Sequence, residues 1–280
     1  MYGEAWGGFY NMIVVENADF YKGPLNSEEH FHSCCEIFYL KKGRILLNIE
    51  GKEYEPAENS VHIISPMERH SVTCLSQEYE RYIIFMNPDN YEVYCNNQML
   101  AGILKNRPAD YKHIFYSNTQ DFESSFQNCA KEYKEYKDCQ FSNLKMSNCI
   151  AELLIMIYRS APERFAQPAS KVEIAKVQKY IDDNYNRKIK VAEIAEMFYI
   201  NQYYLSHVFR SYTGYSPKQY LSKIRLIHVR QLLVKTDLTI AEIAEKTGYE
   251  TINDLSRQFK NKFRMSPTEF KKNHYSNLYH

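Results

Sequence analysis

Three residues near the start of the chain have the types and spacing of a ligand site: His30, His32 and Glu36. Side chains alternate across a strand, so positions 30, 32 and 36 share parity and on one strand would point to one face. Imidazoles and a carboxylate brought together can ligate a divalent metal such as iron, manganese, nickel or zinc. They can equally line a sugar pocket through hydrogen bonds, with no metal. No Ser/His/Asp or Cys/His arrangement and no phosphate-cradling glycine loop accompanies them, so metal chemistry is the enzymatic route left open.

A second set of candidate residues comes from an internal repeat. Val191-Ala-Glu-Ile-Ala-Glu196 recurs as Ile240-Ala-Glu-Ile-Ala-Glu245, Leu205-Ser206 as Leu255-Ser256, Phe209 as Phe259 and Ser216-Pro217 as Ser266-Pro267. Each copy reads as a short helix, a turn, a second amphipathic helix, and then a serine cap with proline at the first helical position of the next helix. Two helix-turn-helix units joined by one long helix, about 217–234, follow from that pattern. Such a unit reads DNA by laying its second helix in the major groove, where base pairs show distinct donors and acceptors. In the first unit Leu205, Val208 and Phe209 are expected inward, leaving Tyr203, Ser206, His207 and Arg210 outward. In the second, Leu255 and Phe259 face inward, leaving Asn253, Ser256, Arg257 and Lys260. Asn suits adenine and Arg suits guanine, whereas Arg210 and Lys260 sit late enough to neutralise phosphates.

Charge follows the same division. From Ser170 onward there are 19 Lys and Arg against 11 Asp and Glu; before it there are 16 against 23. A basic final third on an acidic body suggests that one part meets nucleic acid and the other does not. The seven cysteines (34, 35, 74, 95, 129, 139, 149) lie in the acidic part without a C-x-x-C pair, which reads as free thiols in a reducing cytoplasm. No apolar run approaches the roughly 20 residues that span a bilayer, and no signal peptide is expected.

The elements that must hold these groups fall into three regimes. Short β-rich runs (12–15, 35–40, 44–49, 60–64, 82–86), punctuated by Gly43, Gly51, Pro66 and Pro88, suggest an antiparallel sandwich or barrel. Residues 121–159 turn helical: Phe122, Phe126, Cys129, Tyr133 and Tyr136 recur at three and four, as do Met146, Ile150, Leu153, Leu154 and Ile157. The second stripe is broader than one sandwich face should need, so a dimer seam at Leu153 and Ile157 is expected. Ala161-Pro-Glu-Arg-Phe-Ala-Gln-Pro168 reads as a linker, and everything after Ser170 is helical. The aromatic arm of Tyr2, Trp6, Phe9 and Tyr10 reads as a lid or as a first strand.

Two resemblances build on these residues. Tyr204-Leu-Ser-His-Val-Phe-Arg210, Thr213-Gly-Tyr-Ser-Pro217, Arg225-Leu226, Gly248-Tyr249, Ser256-Arg-Gln-Phe-Lys260 and Ser266-Pro267, in that order and spacing, make residues 172–275 resemble the DNA-binding domain of AraC/XylS-type regulators. The resemblance places base contacts on Tyr203, Ser206 and His207, and on Ile252, Asn253, Ser256 and Arg257. The chain departs from it at Tyr199, Asp254-Leu255 and Arg264. His30-x-His32-x3-Glu36-x6-Gly43 is similar to the first cupin motif, and His70 matches the histidine of the second, in which Asn59, Ser65 and Met67 replace glycine, proline and glycine. His62 and His113, without partners at ligand spacing, read as ordinary surface or pocket residues.

The expected architecture is α+β and multidomain. A cupin-like jelly-roll barrel for an effector is expected at 1–95, a helical dimerisation segment at 96–165 and a linker at 166–172. An all-α domain with two helix-turn-helix units completes the chain at 173–280. The expected function is a cytoplasmic, ligand-responsive DNA-binding regulator, an activator, and not an enzyme. Its expected partners are an operator duplex, a sugar-like effector, a second copy of the chain and RNA polymerase, with no membrane. The effector pocket is expected at His30, His32, Glu36 and His70, which are also the candidate metal ligands; the degraded second motif favours hydrogen bonding without metal. The alternative is a metal-dependent cupin dioxygenase or isomerase fused to a DNA-binding tail.

Overall fold

The computed structural model describes residues 15–23, 26–32, 34–86, 98–108, 111–116, 121–162 and 171–278. The aromatic arm and most of the linker lie outside them. The chain divides into two compact units, Met1–Asn106 with Tyr111–Ala166, and Arg107–Asp110 with Gln167–His280.

The first unit is a two-sheet antiparallel structure. Its strands are β1 (Val15–Lys22), β2 (Cys35–Lys42), β3 (Ile45–Ile49), β4 (Lys52–Tyr54), β5 (Ser60–Ile64), β6 (His70–Cys74), β7 (Glu80–Met86) and β8 (Ile114–Tyr116). Five of them form one sheet in the order β1-β7-β2-β5-β8, and three form another, β4-β3-β6. Residues directly opposite in an antiparallel pair share a face. Glu36 opposes Phe85, Phe38 opposes Ile83 and Leu40 opposes Arg81, while Phe38 also opposes His62 across β5. That face packs Phe38, Leu40, Ile64 and Ile83 against Ile45, Leu47, Ile49 and Val72 of the smaller sheet. The site residues therefore sit between the sheets.

The opposite face of the larger sheet is covered by helices. Ile37, Tyr39, Ile63 and Ile84 pack with α1 (Gln98–Lys105), α2 (Phe122–Tyr136) and α3 (Ser142–Ser160). Leu153 and Ile157 belong to this core, 1% and 0% exposed. The seam expected of them is thus corrected: the stripe is consumed by the unit's own sheet. What α3 leaves exposed is Phe141 before its first turn, Leu144 and Ile155.

The second unit is helical: α4 (Lys171–Asn184), α5 (Val191–Met197), α6 (Gln202–Thr213), α7 (Pro217–Lys235), α8 (Ile240–Lys246), α9 (Ile252–Phe263) and α10 (Pro267–Leu278). Caps start these helices where expected. Ser216 Oγ accepts from the Gln219 N–H ahead of Pro217, and Thr239 with Glu242 makes a second reciprocal cap. Leu205 and Phe209 are fully buried with Ile194 and Tyr220, and Phe259 stacks on Phe263 4.1 Å away. Val208, expected inward, is half-buried at the edge of this core. The rod α7 is pinned in the middle: Arg225 donates from Nε to the Tyr185 carbonyl and from its terminal nitrogen to the Arg187 carbonyl, both at 2.8 Å. Among the described residues no helix is long and apolar enough to cross a membrane.

Candidate functional site

The DNA-reading candidates sit on α6 and α9, the second helix of each repeat. Asn201 caps α6 by accepting from the Tyr203 and Tyr204 N–H groups, and Thr251 caps α9 by accepting from Asp254 N–H. Leu205, Phe209, Tyr212 and Thr213 of α6 and Leu255, Phe259 and Phe263 of α9 are turned inward, which leaves the opposite side of each helix open. Tyr203 is 84% exposed; His207 and Arg210 are exposed and Ser206 half-exposed. On α9, Ile252, Asn253, Arg257 and Lys260 are exposed and Ser256 half-exposed. Every residue the sequence assigned to DNA contact is therefore on an accessible side of its helix. The sequence did not reveal that Arg257 is held: its guanidinium donates to Asp254 Oδ1 at 2.7 Å.

The departures in the turns keep the backbone of the residues they replace. Tyr199, between α5 and α6, has φ +54°, and its counterpart Gly248, between α8 and α9, has φ +76°. Arg264 closes α9 at φ +62° where Gly214 closes α6 at φ +83°. The same holds in the first unit, where Asn59 and Met67 adopt φ +61° and +71°. At these two positions the residues in place of glycine keep the left-handed backbone that glycine favours, which weakens the sequence argument against a metal.

The four candidate ligands of the first unit do converge, though by a route other than the shared parity expected. Only Glu36 lies on β2; His30 and His32 precede it, and His30 pairs with His70 in an isolated antiparallel bridge, exchanging backbone hydrogen bonds of 3.0 and 2.8 Å. The His30 and His70 rings are 4.3 Å apart between centroids and those of His32 and His70 4.9 Å. A ring nitrogen from each of the three histidines lies within 4.8 Å of the others.

The tautomers follow from the partners. Nδ1 of His30, His32 and His70 lies 2.9–3.0 Å from the carbonyls of Glu28, Cys34 and Glu68. A carbonyl only accepts, so each Nδ1 donates and each neutral ring keeps its lone pair on Nε2. Glu36 Oε2 stands 2.9 Å from Nε2 of His32 and 3.4 Å from Nε2 of His70. The buried His70 Nε2 makes no hydrogen bond of good geometry. Two lone pairs and a carboxylate oxygen at such distances require positive charge among them, carried by protons or by a cation.

Burial pushes the Glu36 carboxyl up, but the His32 hydrogen bond and the close approach of His70 outweigh it and hold the group well below the usual carboxylate range. Burial depresses His70, and Glu36 more than restores it, leaving the ring above its ordinary value. Burial lowers the partly exposed His30. Arg81, whose guanidinium lies 3.9 Å from Glu36 Oε1, closes the cluster on its inner side. The sequence missed it, although its parity with Ile83 and Phe85 on β7 was readable. Of the two readings expected for His62 and His113, surface or pocket residues, the surface one is excluded: both are buried. His62 stacks on Phe38 at 4.2 Å, and burial lowers its pKa to about 3. The three histidine nitrogens, each ring oriented by a carbonyl behind it, fit a divalent transition metal, with Glu36 beside His32 and His70.

Comparison with known proteins bears on both units. A helix-turn-helix domain family matches residues 194–273. The HTH-type transcriptional activator RhaS of Enterobacter sp. (strain 638) is 21% identical over 279 residues, covering 93% of this chain and 97% of that protein. RhaS of Salmonella paratyphi A (strain ATCC 9150 / SARB42) is 22% identical over 277 residues, with the same coverage. Among solved structures, ToxT from Vibrio cholerae is similar with a TM-score of 0.57 at 15% identity, over 92% of this chain and 98% of its own. Unsaturated fatty acid-bound ToxT from strain SCE256 gives 0.54 at 16% identity, over 91% and 93%. These likenesses extend across both units, and at such identities the structural ones speak for the fold.

Proposed function

We propose that this chain, a member of the AraC family of transcription regulators and not an enzyme, couples occupancy of its His30–His32–Glu36–His70 cluster to DNA reading by α6 and α9. The observation that carries the reading is the duplicated pair of capped, outward-facing helices behind two closed aromatic cores. The activators named among its relatives favour activation, and fatty acid-bound ToxT favours a small-molecule effector. An operator duplex is the primary partner, with a second copy of the chain and RNA polymerase as further ones.

The test uses the full chain and duplexes selected from a random-sequence library. Arg257→Ala should cost roughly 1–3 kcal/mol on the selected duplex and little on random DNA, as for loss of a bidentate base contact. Lys260→Ala should weaken both alike and flatten the salt dependence. Identical behaviour of the two variants would place the reading register elsewhere.

For the effector, Nε2 lone pairs and the Glu36 carboxylate accept hydrogen bonds, and the hydroxyls of a sugar supply the donors. The buried His70 Nε2, which faces Glu36 without a well-formed hydrogen bond, supports a second reading, a divalent metal held by His30, His32, His70 and Glu36. Elemental analysis with chelation separates them. A sugar site leaves purified protein metal-free and insensitive to chelator. A metal site gives stoichiometric metal whose affinity falls as pH drops through the imidazole range near about 6.5, because only neutral imidazole ligates.

A further inference from the structure

We infer that Asp254 is a specificity-determining positioning residue of the second reader: it holds the Arg257 guanidinium for the groove and penalises duplexes that Arg257 cannot read. The inference rests on the DNA-reading function proposed above and adds to it a residue that family resemblance leaves unexplained.

Asp254 lies one helical turn before Arg257, where residues three apart are neighbours on a helix surface. Both its carboxylate oxygens are engaged. Oδ1 accepts from Arg257 at 2.7 Å, and Oδ2 accepts from the Thr251 hydroxyl at 3.2 Å. The Asp254 N–H in turn donates to Thr251 Oγ1 at 3.1 Å, so the N-cap that starts α9 also fixes the carboxylate. The Arg257 side chain remains 70% exposed and that of Asp254 41%. This is a tethered guanidinium on an open surface, not a buried pair.

Exposed ion pairs do little for folding. In binding, the same contact acts differently. An unrestrained arginine loses side-chain freedom when it docks, and a held one has lost part of it beforehand. Arginine has five N–H donors, so it can keep Asp254 and still offer a fork to guanine O6 and N7. Asp254 also brings a negative charge to the flank of a helix meant for a polyanion. On the right base pair the arginine stays between carboxylate and DNA. On the wrong one that contact is not made, and the carboxylate repels the backbone with nothing in return. The neighbouring acid, Glu250, is instead paired with Lys188 at 2.7 Å. In the first reader Tyr204 and His207 stand at the positions of Asp254 and Arg257, so the device belongs to the second alone.

The experiment compares full-length wild type, Asp254→Asn, Arg257→Ala and the double variant. The probes are a duplex selected from a random library and the unselected library itself. Asparagine keeps the backbone N–H that Thr251 caps, and coincident thermal unfolding of wild type and Asp254→Asn shows that folding is intact. Expected for Asp254→Asn are severalfold tighter binding to unselected DNA, a salt slope steeper by roughly one counterion, and a selected-to-unselected ratio reduced about tenfold. In the Arg257→Ala background the same substitution should leave that ratio unchanged. A ratio unaltered by Asp254→Asn overturns the inference, as does an equal reduction in both backgrounds. A wild-type chain that enriches no sequence overturns the DNA-reading premise itself, a distinct result.

Discussion

Replacing Glu36 by alanine should destabilise the N-terminal unit by about 3–5 kcal/mol, because removing one member of a buried charge cluster leaves the others uncompensated. The Glu36 side chain is 4% exposed, and its loss strands Arg81 beside Phe38 and leaves His70 without the charge that raises it. The dependence on pH has two limbs. Glu36 is depressed, so its contribution is present above its unfolded pKa near about 4.5 and is lost as pH falls. His70 is raised, so its contribution is complete below its unfolded value near about 6.5 and is lost as pH rises through the higher folded value. In metal-free protein the difference between wild type and Glu36→Ala should therefore peak between those two values. His62, lowered by burial and partly offset by Glu36, destabilises both proteins progressively below about 6.5, and more in the variant, which adds to the difference on the acid side. Urea unfolding of the full chain, with hydrogen exchange of β2 to identify the transition, measures it. A difference curve flat from pH 4 to 8 would sink the assignment.

The second large effect contrasts the two turns of the DNA-reading unit. Gly248→Ala should cost about 2–5 kcal/mol, adding a left-handed penalty of about 1–2 to overpacking of about 1–3. A Cβ there would lie 2.7 Å from the Tyr185 carbonyl oxygen and 2.8 Å from the Asn186 carbonyl carbon, both backbone atoms. Tyr199 occupies the matching turn with the same sign of φ, but its side chain is 98% exposed and meets no such wall. Tyr199→Gly should consequently stabilise by about 1 kcal/mol, relieving the dihedral alone. Thermal unfolding of both variants checks the pair. Equal and opposite shifts would mean that the backbone angle, and not the neighbouring chain, governs both sites.

The helical repeat was legible because its signals are local. Caps, a 3.6-residue period and serine-proline punctuation all lie within a turn or two, and α7 ends within one residue of expectation. The ligand cluster was legible in membership and not in construction. The sequence named His30, His32, Glu36 and His70, but His30 meets His70 through a bridge spanning 40 positions, whose register no local pattern encodes. Strand β8, three residues long, is too short to carry a periodic signal. The stripe of Leu153 and Ile157 showed that one face of α3 is buried, and said nothing of whether its own sheet or another chain buries it.

The rod α7 has a consequence for promoter architecture. Its 19 residues span roughly 28 Å, and Arg225 locks its middle to the backbone of the first reader. The two reading helices thus have a fixed pitch between them, while a duplex advances one base pair by about 3.4 Å and turns by about 34°. A regulatory sequence recognised by this chain can drift in its bases and still be bound weakly. An insertion or deletion of one base pair between the two contacted segments moves the second out of register altogether. Binding sites for this protein across a genome should then vary by substitution, with their internal spacing held invariant.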